Sequence, residues 1–195
     1  SIQADMENLK EGHKAFLSEQ GDWKPKKLCT YGNHEYRIER FENANPETHQ
    51  TFTLQRDEIF ASFGWRTVPF GEIRYINGVA VTHHPVNGAG RAFGGKLGST
   101  RVANETSCSM ISGHTHKWVF WPSAKIGPNN GVDIMEAGCA LPWGEIESYA
   151  LHSTNDWWWG LTVARLWGGR IIDVERVSML TIRDRYSDDG GDTRK

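Results

Sequence analysis

Five of the eight histidines in this 195-residue chain fall in three short segments of one kind. "CTYGNHE" (29–35), "AVTHHP" (80–85) and "MISGHTH" (110–116) each start as an apolar run and end in a polar cluster. The residues gathered there are Asn33, His34, His83, His84, His114 and His116. Imidazole nitrogen suits zinc, manganese or iron, and an amide oxygen is a neutral hard donor, so the set reads as metal ligands. His114 and His116 are two apart in a loop and can point different ways, which lets them serve two separate ions. With 21 glycines and eight histidines, neither Gly-His-x-His nor Gly-Asn-His-acid is expected even once by composition, and both occur, each after an apolar run. His13, His49 and His152 follow no such pattern and read as surface or packing residues.

These clusters need strands to deliver them. "KLCTY" (27–31) reads as a short buried strand running into "GNHE". In "GEIRYINGVAVTHHP" (71–85), two strand-like runs flank Asn77-Gly78, the signal of a tight type I′ hairpin, and the second run ends at His83. "CSMIS" (108–112) is a third strand. Ligands bind beyond the carboxyl ends of strands in α/β sheets, so parallel neighbours would bring the clusters to one edge. Further strands are expected at 117–121, 132–137, 157–166 and 170–177, with turns at "PNNG" and "WGGR". Helices are expected at 1–19, where Ile2, Met6, Leu9, Phe16 and Leu17 share a face, and at 35–43. Asn45-Pro46 is a helix-start signal, with the helix continuing through "ETHQTFTLQRDEIFASF". "STRVANETS" is a short helix, and residues 87–98 form a glycine-rich loop. Helices mixed with strands, followed by an almost all-β half, suggest two packed sheets with helices outside, a layered α/β sandwich.

Composition sets outer bounds. A charge of −2 and pI near 6.4 argue against a dedicated polyanion binder, and no apolar run is long enough to span a membrane. Cys29, Cys108 and Cys139 are odd in number and widely spaced, so they read as reduced thiols of a cytoplasmic protein. Nine tryptophans, three of them consecutive at 157–159, favour aromatic packing in a β-layer over a binding platform.

"GNHE" (32–35), "THH" (82–84) and "GHTH" (113–116) resemble the last three motifs of the calcineurin-like metallophosphoesterases, over about residues 27–182. The resemblance implies a four-layered αββα sandwich and a two-metal hydrolase acting on a phosphomonoester or phosphodiester through a metal-activated hydroxide. Nucleotides and nucleic acids are among the substrates it admits. It assigns Asn33, His83 and His114 to one metal and His116 to the other. His34 becomes the catalytic residue that faces the substrate phosphate, and His84 a neighbour the family does not always require. Manganese is the first expectation for the two divalent ions, with iron or zinc as alternatives. Arg91 is a candidate substrate contact, with Arg37, Lys96 and Arg101 as weaker ones.

The family's opening motifs, Asp-x-His and Gly-Asp-x-x-Asp, do not occur before Asn33, since "GDW" (21–23) lacks the second aspartate. The sequence therefore reads as one domain, residues 1–182, missing its N-terminal strands, with a polar disordered tail at 183–195. The missing part is expected in a precursor, a split partner chain or an intertwined second copy, which makes a homo-oligomer one way to complete the site. Two other functions fit the residues: a non-catalytic metallophosphoesterase remnant, and a tryptophan-rich nucleic-acid-binding module.

Overall fold

A computed structural model describes residues 2–127, 131–151 and 156–186. The chain divides into two compact units, Ser1–Glu72 and Ile73–Lys195.

In the first unit, helix α1 (Ile2–Gln20) buries Met6, on the apolar face expected from the spacing. Strand β1 (Lys27–Thr30) leads directly into α2 (Asn33–Ala44). Pro46 opens only a one-turn 3-10 helix (Pro46–Thr48), and α3 begins separately at Thr51 and runs to Ser62. The expected continuous helix is thus broken at Gln50, whose φ of 59° lies in the left-handed region. Glu42 accounts for the break. Its carboxylate accepts hydrogen bonds from the backbone N–H groups of Gln50 (3.1 Å), Phe52 (2.5 Å) and Thr53 (3.1 Å), and from the Thr53 hydroxyl (2.7 Å). A helix start leaves such N–H groups without intrahelical partners, and a carboxylate from α2 meets them. Burial alone would raise the Glu42 carboxyl, but these hydrogen bonds, led by Thr53, outweigh it and hold the group below its usual range.

A four-residue strand that the sequence reading passed over, β2 (Trp65–Val68), pairs parallel with β1, with Cys29 opposite Thr67. Tyr31, Ile59, Phe60 and Val68 are buried with Met6. His13 packs as expected, stacked on Phe63 (5.0 Å between centroids) and edge-on to Phe60. Arg56 is buried, bonds Asp57 (2.8 Å) and Glu39 (3.1 Å), and lies 4.2 Å over the Tyr31 ring.

The second unit is built on a five-stranded sheet. Strands β3 (Arg74–Ile76) and β4 (Val79–Thr82) form the expected hairpin, with Asn77 and Gly78 at φ 48° and 80°. Helix α4 (Gly98–Glu105) follows the glycine-rich segment and precedes β5 (Met110–Ser112). After β6 (Trp118–Ser123) and β7 (Val132–Ala137) the sheet order is β3-β4-β5-β7-β6. Strands β4, β5 and β7 are parallel neighbours, and β3 and β6 run antiparallel at the edges. Strands β8 (Gly160–Trp167) and β9 (Arg170–Ser178) form a separate antiparallel hairpin. Helix α5 (Met179–Tyr186) ends the described chain, so residues 183–186 are helical rather than part of a disordered tail. Residues 187–195, His152 and most of the "PNNG" turn lie outside the described residues.

Successive strand residues face opposite sides, and both sides of the sheet are covered. On one side Ala80, Met110, Val132 and Ile134 pack against Val102 and Ala103 of α4. On the other, Val79 and Met135 pack against Ile171, with Ile111 and Phe120 meeting Ala164, Leu166 and Val174 of the hairpin. The layers of this unit are helix, mixed sheet, antiparallel hairpin, as the expectation of a mixed α/β class requires. Asp133 ties the second pair. Its carboxylate takes two hydrogen bonds from the Arg170 guanidinium, both 2.7 Å, and one from the Ile171 N–H at 2.9 Å.

Cys29, Cys108 and Cys139 are free thiols, and burial pushes Cys29 up to about 11. Among the described residues, no helix is long and apolar enough to cross a membrane.

Candidate metal centre

The register of β4 and β5 sets the centre. Thr82 lies opposite Ser112, so the residues that follow, His83-His84 and Gly113-His114, leave the sheet side by side. The Gly113 N–H donates to the His83 carbonyl at 3.0 Å, which carries the pairing one step past the strands. His83, His84 and His114 then gather at the carboxyl end of two adjacent parallel strands, where α/β sheets bind ligands. Each offers one ring nitrogen, and the three nitrogens lie within 4.8 Å of one another. His83 and His84 are half-buried, and His114 is the most open.

The donor set could hold a metal ion. His83 Nε2 and His114 Nδ1 share a hydrogen bond of 3.1 Å, a separation an ion between them would also accept. Two imidazole nitrogens, each about 2.0–2.1 Å from one ion, stand about 3 Å apart. Ring centroids are 5.0 Å apart for His83–His114, 4.8 Å for His84–His114 and 5.4 Å for His83–His84, so no ring stacks flat on another and closes the space. Burial, and then the neighbouring His114, hold His84 below the usual imidazole value. The neutral ring this favours is the form that ligates.

The backbone after β5 is unusual. His114 has φ 65° and His116 φ 58°, both in the left-handed region that non-glycine residues seldom adopt. The Thr115 N–H donates to the Gly113 carbonyl at 2.8 Å, making an i→i+2 turn centred on His114, in the rarer positive-φ form. His116 is tied elsewhere: its carbonyl accepts from the Trp158 N–H at 2.9 Å, and its ring meets Trp157 edge to face at 4.2 Å. It lies outside the three-imidazole group, consistent with two histidines pointing different ways.

Asn33 and His34 are the first two residues of α2 in the first unit. Gly32 caps that helix, and its N–H donates to Glu35 Oε2 at 2.7 Å. Arg91 is exposed in a turn organised by Asn87, whose side chain accepts from the N–H groups of Ala89 (2.9 Å) and Arg91 (3.1 Å).

Three residues next to the centre escaped the sequence reading. Glu136, buried near the end of β7, accepts hydrogen bonds from the hydroxyls of Ser99 in α4 and Thr115 in the histidine loop. The signal was present in "VDIMEA": a carboxylate in a strand buried on both faces needs a specific partner. The tryptophans near the centre mostly pack. The Trp158 ring lies so close to Gly138 and Gly160 that a Cβ on either would come within 2.4 Å of it. Arg176 sits 4.2 Å over the Trp118 ring and 5.9 Å over that of Trp158.

No family model, no curated protein and no solved structure matches the chain.

Proposed function

We propose that this chain is a metal-dependent phosphoesterase of the calcineurin-like kind, hydrolysing a phosphomonoester or phosphodiester. The observation that carries the reading is the cluster of His83, His84 and His114 at the carboxyl ends of β4 and β5, with all three donor nitrogens inside 4.8 Å. The helix–sheet–hairpin layering of the second unit supports the four-layered αββα arrangement that belongs to the same proposal.

In this reading His83, His84 and His114 hold one divalent ion through neutral ring nitrogens, and His116 serves a second. A bound divalent ion polarises a phosphoryl oxygen and lowers the pKa of water, which makes a nucleophile available near neutral pH. The protein's own work is to keep His84 neutral and His114 aimed. Burial of His84 does the first, and the left-handed backbone at His114 does the second. Asn33 and His34 keep the roles the resemblance gives them, a ligand and the group that meets the substrate phosphate. The carboxylate ligands of the second ion are not assigned to residues of this sequence. Manganese is the proposed metal.

The test measures manganese binding by calorimetry and hydrolysis of bis-p-nitrophenyl phosphate by this protein, with manganese and with a chelator. The expected result is metal binding and manganese-dependent hydrolysis. Metal binding without hydrolysis would replace the enzyme reading with that of a metal-binding remnant.

A further inference from the structure

The left-handed backbone at His114 and His116 needs a cause. Positive φ is unfavourable for any residue with a Cβ and persists only where the surroundings over-determine it. The two ends of the loop are held by backbone bonds, Gly113 N–H to the His83 carbonyl and Trp158 N–H to the His116 carbonyl. Between them lies Thr115. Its hydroxyl donates to Glu136 and accepts from the Lys117 N–H at 3.4 Å, so it is bonded both across the sheet and along the loop.

Glu136 is suited to anchor that hydroxyl. It is 8% exposed and sits on β7, the strand adjacent to β5 in the sheet, with Ser112 opposite it in register. Its second hydroxyl partner, Ser99, is itself buried in the first turn of α4. His84, Ser99, Thr115 and Glu136 line one narrow pocket. A buried carboxylate short of a donor is costly.

We infer that Glu136 is a positioning residue for the metal centre: acting through the Thr115 hydroxyl, it holds the His114–His116 loop in the left-handed backbone that aims His114 at His83 and His84. This rests on the metal-centre reading above. Groups behind metal ligands act in this way, by fixing the orientation of the ligand rather than by touching the ion.

The test compares the wild-type chain with Thr115→Val, Thr115→Ser and Glu136→Gln. Cobalt and manganese affinities are measured by titration, unfolding midpoints by calorimetry, and the backbone at His114 and His116 by three-bond HN–Hα couplings in the metal-free protein. Thr115→Val and Glu136→Gln are expected to weaken metal binding about 10- to 100-fold. Thr115→Ser, which restores the hydroxyl, should return affinity to within about threefold of wild type. Full affinity in Thr115→Val, or an affinity loss that Thr115→Ser does not repair, overturns the inference. So does a lower unfolding midpoint with metal affinity intact. If the wild-type chain binds no metal, the metal-centre reading itself fails and the couplings decide. A left-handed signature lost in Thr115→Val and regained in Thr115→Ser upholds the positioning role, and a signature unchanged in Thr115→Val refutes it.

Discussion

Two strand ends in this molecule carry nearly the same residues and fold differently. After β1 the chain reads Gly32-Asn33-His34-Glu35, and after β5 it reads Gly113-His114-Thr115-His116. At the first, Gly32 becomes a helix cap in extended conformation, Glu35 accepts its N–H, and Asn33 and His34 enter an ordinary first helical turn. At the second no helix forms, two histidines take left-handed backbone, and a buried carboxylate on another strand holds the residue between them. Helix-capping physics accounts fully for the conformation at β1. At β5 a local turn bond from the Thr115 N–H to the Gly113 carbonyl is joined by a tie to Glu136 on another strand, and the resulting strained backbone stands beside clustered imidazoles. The lesson is that a strand-to-polar motif gains functional weight when its shape needs a partner distant in sequence as well as a turn or cap.

Metal affinity breaks the comparison most sharply. Removing one imidazole with His83→Ala or His114→Ala is expected to weaken manganese or cobalt binding by more than about 100-fold, because even partners behind the ligands are worth about 10- to 100-fold. His34→Ala should leave metal affinity within about threefold and reduce phosphoester turnover. Calorimetric titration of the three variants measures this. Equal losses for His34→Ala and His114→Ala would make the two strand ends equivalent and remove the distinction drawn above.

How much of this was legible in the sequence depends on how local each feature is. The Asn77-Gly78 hairpin, the short helix before β5 and the strands delivering His83 and His114 follow from neighbouring residues alone, and they stand where expected. The break at Gln50 was not legible, because the group that imposes it, Glu42, lies eight to eleven residues away on another helix. The same holds for Glu136, 21 residues from Thr115 and 37 from Ser99. Strand β2 offers only "WRTV", too short a run for its alternation to register. His84 read as an optional neighbour of the motif, yet the register of β4 against β5 places it in the imidazole group. Spacing names candidate ligands; only pairing of strands distant in sequence says which of them meet.

A buried carboxylate also ties elements together in each unit, Glu42 in the first and Asp133 in the second, and these two should differ in weight. Asp133 links β7 to β9 across 37 residues through a bidentate Arg170 pair and the Ile171 N–H. Asp133→Ala leaves those donors without a partner at a position 1% exposed, while Arg170 keeps partial access to water at 40%. The expected loss is about 3 kcal/mol of unfolding free energy, at the low end for a broken buried pair. Glu42→Ala removes a cap from the start of α3 and should cost about 2 kcal/mol, since a frayed helix end can recover some bonds to water. Denaturant unfolding of the two variants ranks them, and a larger loss for Glu42→Ala would reverse the assignment of the stronger tie to the longer-range contact.

Acid should act on both carboxylates and on His84 with the same sign. Burial tends to raise Asp133, but the Arg170 hydrogen bonds and the Ile171 N–H overcome it, so the group lies below its usual value, as does Glu42. A folded value below the unfolded one means that the unfolded chain takes up protons first as pH falls. The stability these groups contribute is complete above about pH 4 to 5 and is lost as pH drops through their lowered values. His84 adds an earlier and smaller decline in the metal-free protein, beginning near its ordinary value of about 6.5, because burial and His114 disfavour its charged form. Unfolding midpoints against pH should therefore fall in two stages. His84→Gln should remove the upper stage and Asp133→Asn should shrink the lower one; a profile unchanged by either variant would assign the acid sensitivity to other groups.

The smallest effect tests the β1 end by itself. Glu35 Oε2 takes the Gly32 N–H, and glycine has no side chain to return a bond to the third helical residue, so only one half of the reciprocal capping arrangement exists here. Glu35→Ala should lower stability by about 1 kcal/mol, and Glu35→Gln, which keeps an acceptor and loses only the charge at the positive helix start, by about half of that. Neither should change the manganese affinity of the imidazole group, because a cap is a local device. If Glu35→Ala reduced metal affinity as strongly as Glu136→Gln, capping would no longer suffice to explain Glu35, and its carboxylate would have to be read as acting on the metal centre.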